Sequence, residues 1–242
     1  MKRIIPFVAV ILLLVLGAIS QVFLSRINPV KTPSVGTGVV AALGGLRSIA
    51  SEVVWFRAER LQQQGRFGEL VQLSSLLTFL EPHVPEVWLY AAWNLAYNVS
   101  LRMPRLEDRW RWVYAGIRLL RDEALFWNPG DPDVCYDLAY MFELKVGHTI
   151  DNASHLYRDE WSKIVSDVAK RGAWHELKMD PEEMALIERN HGVADWSNPQ
   201  ASALYWALHG LPKADKSQRI RLEQIVRQSK MLYNKNKEKK TT

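Results

Sequence analysis

Proline and glycine punctuate this chain in a way that leaves room for little except helices. Asp131-Pro132, Asp180-Pro181 and Asn198-Pro199 each set an Asx side chain directly before a proline. Such a pair starts a helix. The Asx oxygen accepts a free N–H of the first turn, and proline suits the first helical position because its missing N–H has no partner there. Gly65, Gly172 and Gly192 stand at the far ends of such stretches, where a left-handed residue closes a helix at least cost. Between these marks the pattern predicts helices over about 47–64, 67–80, 85–98, 107–127, 132–146, 152–171, 181–191, 199–209 and 213–233. No stretch sustains apolar/polar alternation and no Asn-Gly hairpin turn occurs, so strand signals are nearly absent. The expected fold class is all-α, built from consecutive helix pairs. With 48% apolar and 24% charged residues over 242 positions, the chain can bury a core of one or two domains.

The N-terminus carries a different signal. After Met1-Lys2-Arg3, residues 4–24 contain no charge. As a helix they measure roughly 31 Å, the thickness of a bilayer's hydrocarbon core. Three readings compete: a buried core helix, a cleaved signal peptide and an uncleaved signal anchor. Ala18-Ile19-Ser20 offers a small-x-small cleavage site, but the apolar run continues through Val22, Phe23 and Leu24. The length and the continuation favour the anchor, over 1–26. The basic flanks differ little: Lys2 and Arg3 on one side, Arg26 and Lys31 on the other. With the short basic end in the cytoplasm, the rest of the chain is expected outside it, in the periplasm of a Gram-negative cell.

Asn28-Pro29, Thr32-Pro33-Ser34 and Gly36-Thr37-Gly38 mark residues 27–42 as a linker. The far end, 234–242, reads as a disordered basic tail. It contributes to a formal net charge of +5 and would also suit anionic lipid. The remaining Lys and Arg alternate with Asp and Glu, so nucleic acid is not an expected partner.

An internal repeat runs through the first helices. Counted from Ser51, Gly65, Phe67, Leu70, Leu77 and Pro82 fall at positions 15, 17, 20, 27 and 32. A second unit starts at Pro85, with Trp88 fourth and Ala92 eighth. A third starts at Pro132, with Cys135 fourth, Ala139 eighth and Phe142 eleventh. This spacing resembles the tetratricopeptide repeat, a helix–turn–helix unit of about 34 residues. The second unit departs from it: Pro129 follows Pro82 by 47 residues, and the surplus is expected around 99–109, between the unit's two helices. The match covers 51–147, within a repeat region expected over 43–147; a further helical region follows over 148–233. The stretches Leu43-Gly44-Gly45-Leu46-Arg47, Glu81-Pro82 through Trp93-Asn94-Leu95-Ala96-Tyr97-Asn98, and Asp195-Trp196 through Ala203-Leu204-Tyr205-Trp206-Ala207 also look like bacterial membrane-anchored proteins of tetratricopeptide type, which implies architecture and no particular chemistry.

The tetratricopeptide resemblance implies a curved solenoid whose groove is lined by the first helix of each unit. Carried onto this chain, the lining residues are Glu52, Trp55, Glu59, Gln62 and Gln63; then Glu86, Leu89, Trp93, Ala96 and Tyr97; then Asp133, Tyr136, Tyr140, Glu143 and Leu144. The set joins aromatics to carboxylates and holds no Lys or Arg, so it suits an apolar or basic peptide or a partner helix rather than an acidic tail. The candidate partner-binding residues are Trp55, Glu59, Trp93, Tyr97, Tyr136 and Tyr140, with Trp110 in the inserted stretch. Trp55, Trp93 and Tyr97 have an alternative use as filling between units, and either Trp110 or Trp112 is expected in the core.

Catalytic signatures are missing from the sequence: no phosphate-binding glycine loop, Cys-x-x-Cys, His-Glu-x-x-His or nucleophile elbow. Cys135, the single cysteine, lies on an apolar helical stretch and reads as core. His148, Asp151, His155 and Asp159 form the densest polar group but match no ligand spacing; Asp151 reads as a helix cap. No catalytic residue, metal or cofactor is expected. The function anticipated is a membrane-tethered scaffold or subunit of a membrane-associated complex, the alternative being an enzyme or small-ligand protein with a site in the same groove.

Overall fold

The computed structural model describes residues 35–148 and 151–241, with side-chain surroundings for 49–148 and 151–236. Every regular element among the described residues is helical. The anchor expected over 1–26 lies outside them. Among the described residues, no helix is long and apolar enough to cross a membrane.

Helix α1 spans Val35–Gln63. The linker expected over 27–42 is therefore helical from Val35 onward. The physical reason is that Gly36 and Gly38 each disfavour a helix by only about 1 kcal/mol, and the last strong breaker, Pro33, precedes α1. The chain divides into two compact units within this helix, Met1–Val53 and Val54–Thr242. The second unit holds the core described below.

Gly65, with φ of 68°, turns the chain into α2, Phe67–Leu80. Helix α3 covers residues 85–102: α-helical over Pro85–Trp93, π-helical over Asn94–Val99, and α-helical again over Ser100–Arg102. Helix α4 covers 106–127 with the same plan, Leu106–Arg118, a π turn at Leu119–Ala124, then Leu125–Trp127. Only residues 103–105 separate them, so the surplus expected as a connection around 99–109 lengthens two helices instead. Helix α5 is Pro132–Tyr140 followed by a π turn, Met141–Val146. Helix α6, Ser154–Arg171, ends at Gly172 with φ of 64°. Helix α7, Pro181–His191, is capped by the Asp180 carboxylate, which accepts the Glu182 N–H at 2.9 Å. Helix α8, Pro199–Gly210, is capped by Asn198, which accepts the Gln200 N–H at 3.0 Å. Helix α9, Lys216–Thr241, runs through the tail expected to be disordered from 234. No Gly or Pro follows Lys216 to stop it, and lysine and glutamate are good helix formers.

Helix α8 occupies the interior. All residues from Pro199 to Ala207 are buried, and α5, α6 and α9 pack against it. A helix apolar on every side belongs in a core, and Ala201, Ala203 and Ala207 let neighbours approach closely. Gly210 is the extreme case: a Cβ there would lie 2.7 Å from the Cβ of Cys135. Cys135 itself is fully buried, and that burial pushes its thiol far above the ordinary range. Tyr205 and Trp206 of α8 and, around it, Phe142, Tyr157 and Trp161 are enclosed, each contributing roughly 2–3 kcal/mol of burial. Helix α4 meets α3 at Gly116, where a Cβ would fall 2.8 Å from the Ala92 carbonyl oxygen.

The three π turns share a property. Among the described residues, the buried charged side chains Arg121, Glu143 and Lys145 all lie in π turns, and so does the buried Asn94. π turns inside α-helices are uncommon and concentrate at functional positions.

Candidate functional site

Two helices supply the frame. Helix α3 starts at Pro85, and Trp88 is buried below it with its indole N–H donated to the Pro82 carbonyl at 2.8 Å. That fixes the face on which Trp93 and Tyr97 emerge. Their rings stack with centroids 4.0 Å apart and planes 19° from parallel. Helix α5 begins with the Asp131 carboxylate accepting the N–H groups of Asp133 and Val134. It presents Tyr136 and Tyr140 one turn apart, with centroids 6.0 Å apart. Tyr140 lies 6.1 Å from Trp93, again nearly parallel at 22°. The result is a ladder of four rings, Tyr97–Trp93–Tyr140–Tyr136, crossing from α3 to α5.

Both ends of the ladder already hold a cation. The Arg221 guanidinium, from α9, sits 5.0 Å from the centroid of Tyr136 and bonds Asp133 at 2.6 Å. The Lys145 ammonium sits 5.1 Å from the centroid of Tyr97 and bonds Asp151 at 2.6 Å. No such partner covers the two middle rings among the described residues, and Trp93 remains 40% exposed. Arg221 comes from α9 and Lys145 from the π turn of α5, and neither is among the residues singled out from the sequence.

Trp93 also lines a cleft of about 230 Å³ together with Gln62, Leu89, Tyr90, Asn94, Asn98 and Asp137. The Asp137 carboxylate makes no hydrogen bond or ion pair among the described residues. Burial, and next the charge of Asp133, push it up to about 6, against the pull of Arg221. Asn94 is 1% exposed; its Oδ1 accepts the Asn98 Nδ2 at 3.2 Å, and its own Nδ2 has no partner. Tyr97 keeps a buried hydroxyl with no partner, and burial holds it far above its ordinary value. On the α1 side, Tyr90 donates to Gln62 Oε1 at 2.8 Å and packs on Trp55 at 4.9 Å. Burial, and then the nearby Glu59, raise the Tyr90 phenol.

Of the residues singled out from the sequence, Trp93, Tyr97, Tyr136 and Tyr140 come together as one ladder. Trp55, 38% exposed, and the exposed Glu59 stand at the neighbouring Tyr90. Trp110 lies elsewhere: it is 8% exposed and stacked on Tyr114 and Tyr157, while Trp112 is half-buried. Of that pair Trp110 is the core residue, and its ring has little surface left for a partner. Glu143 is 7% exposed, and burial pushes its carboxyl up to about 7. Asn94, Asn98, Tyr90 and Asp137 were not foreseen. Asp137 had a signal, a carboxylate amid Val134, Cys135, Leu138 and Ala139, whereas the asparagines depend on the π turn.

Asp151 does not cap α6, whose N-cap is Ala153; its carboxylate lies in the preceding turn, accepting the Ala153 N–H at 2.9 Å as well as the Lys145 ammonium. Among the described residues, no group of three or more His, Cys, Asp or Glu gathers to hold a metal ion. No family model, no curated protein and no solved structure matches the chain.

Proposed function

We propose that this chain is a membrane-tethered scaffold, a solenoid of tetratricopeptide type held by its N-terminal apolar segment, with its soluble part outside the cytoplasm. In this reading it belongs to a membrane-associated complex and grips a segment of a partner protein in the groove between α3 and α5. It acts by binding rather than by catalysis. The observation that carries the reading is the ring ladder itself. Aromatic side chains supply large, rigid contact area at small entropic cost and are enriched at binding hot spots. Four of them lie in register here beside a cleft that holds an unpartnered carboxylate and an unpartnered amide. Purely structural rings would spare the cost of those polar groups.

The test is capture of partners from native membranes on the tagged full chain, with the variant Trp93→Ala/Tyr97→Ala alongside and circular dichroism as a control for folding. A protein captured by the wild type and lost from the folded variant supports the groove. A protein retained equally by the folded variant refutes it. Protease accessibility of the C-terminal tag in intact cells tests the proposed orientation.

A further inference from the structure

Two large rings stand in water at the end of α4. Phe126 is 72% exposed and Trp127 42%, and they meet edge to face at 5.3 Å. His83 steadies the second: its ring lies edge-on to Trp127 at 5.4 Å, and its Nδ1 donates to the Trp127 carbonyl at 3.2 Å. Beside the rings is a pocket of about 250 Å³, lined by Leu125, Phe126, Gly130, Lys178, Trp206 and His209.

The charge of that pocket suits an anion. Its one carboxylate, Asp122, is already taken by Arg118 and Arg121. Lys178 has no hydrogen bond or ion pair among the described residues, and its side chain is exposed. At the rim Lys213 passes 3.5 Å from where a Gly130 Cβ would stand, and it donates only to the neutral Pro129 carbonyl. The His209 Nδ1 is held by the Glu183 carboxylate at 2.9 Å, which leaves Nε2 for a ligand. As imidazolium the ring donates from both nitrogens, one to Glu183 and one to an incoming oxygen. Lys178 is also the one non-glycine residue with positive φ among the described residues, at 54°. It closes the short 3₁₀ helix Trp174–Leu177, a task that glycine or asparagine performs with less strain. What lysine adds at that position is an ammonium.

We propose that this end of the protein rests on an anionic lipid surface. A lipid phosphate sits in the pocket on the Lys178 ammonium and the His209 imidazole, with Lys213 at its edge, while Phe126 and Trp127 enter the headgroup layer. Amphipathic aromatic rings favour that layer, tryptophan above all, and a bilayer of acidic phospholipid offers phosphate and apolar depth at one surface. A dissolved phosphate would leave both rings in water. The proposal rests on the tether in the reading above: residues 25–34, between the apolar segment and α1, span at most about 35 Å, so α1 starts within that distance of the bilayer.

The full chain is reconstituted in nanodiscs of phosphatidylcholine with a rising share of phosphatidylglycerol, each carrying a lipid spin-labelled near its headgroup. The readout is paramagnetic broadening of the Trp127 indole N–H resonance, assigned by its absence in Trp127→Phe. Broadening is expected to grow with phosphatidylglycerol. Lys178→Gln should need about fivefold more of that lipid for the same broadening, the worth of one lysine at an anionic surface. Lys170→Gln removes an exposed lysine of α6 that does not line the pocket and should behave as wild type. Phe126→Ser, with its fold checked by circular dichroism, should lose most of the broadening at every composition. A Trp127 resonance that stays sharp throughout overturns the proposal, and so does a Lys178→Gln variant that matches wild type or Lys170→Gln. Alkaline carbonate extraction of native membranes reads the tether separately. A chain that resists extraction but keeps a sharp Trp127 leaves the tether standing and overturns the lipid site. A chain that is extracted, yet is broadened by phosphatidylglycerol through Lys178, supports the lipid site and sinks the tether.

Discussion

Replacing Glu143 by glutamine should stabilise the protein, and only above the pH at which the glutamate ionises. The carboxyl is 7% exposed in the π turn of α5, and burial pushes it from 4.5 to about 7. Between those values the folded chain holds a proton there that the unfolded chain has released. Stability therefore falls as pH rises through the window and levels off above about 7. At 1.36 kcal/mol per pKa unit the full cost of ionising Glu143 in place is about 3 kcal/mol. Glutamine keeps the shape and the polar atoms but never ionises. Wild type and Glu143→Gln should thus melt together near pH 4 and separate by about 6–12 °C at pH 8, using the scaling for a chain of this size. Thermal melts by circular dichroism across pH 4–8 read this directly. Curves that run parallel at all pH values, or a variant less stable at pH 8, would show that the carboxyl is not burdened by burial and would refute the reasoning.

Three other perturbations follow from the packing. Gly116→Ala puts a Cβ within 2.8 Å of the Ala92 carbonyl and should cost about 1–3 kcal/mol by overpacking in a chemical denaturation curve, whereas Gly68→Ala, which meets no atom within 4 Å, should be neutral or slightly stabilising. Lys145→Met strips the main partner from the Asp151 carboxylate. Burial alone would raise Asp151, but the hydrogen bonds from Lys145 and Ala153 hold it below its usual range. The loss should be about 3 kcal/mol at pH 7 and smaller in acid, where Asp151 protonates. Tyr233→Phe removes the hydroxyl that accepts the N–H groups of Ala194 and Asp195 at 2.8 and 2.7 Å. Hydrogen exchange at those two amides should quicken, with about 1–2 kcal/mol lost globally.

Helix ends were the most legible feature of the sequence, because caps are local chemistry. Asp180-Pro181, Asn198-Pro199, Gly172 and Gly192 perform in the structure the tasks their residue types dictate. The ladder was half legible: the spacing of Trp93 and Tyr97 and of Tyr136 and Tyr140 puts each pair on one helix face. Residues dependent on long-range placement were not. Arg221 reaches Tyr136 from a helix 85 positions further on, and no local pattern announces that. The linker and the tail went unread for the opposite reason: glycine and lysine-rich composition weakens a helix without forbidding it. The π turns carried no signal at all, since a residue added to a helix alters no propensity.

Those π turns have a consequence for how the chain tolerates changes of length. Within an ordinary α-helix, inserting or deleting one residue rotates everything beyond it by about 100° and carries a buried face into water. A π turn has already accommodated such an addition, so the helix on either side of it stays in register. One residue removed within 94–99, 119–124 or 141–146 should therefore restore regular hydrogen bonding and leave the flanking core contacts in place. The loss would fall on the side chains that the wide turn aims inward, Asn94, Arg121, Glu143 and Lys145. In α3, α4 and α5 the positions most forgiving of a deletion are thus the ones that place the polar groups of the interior, and a shortened helix would keep its fold while giving up its particular chemistry.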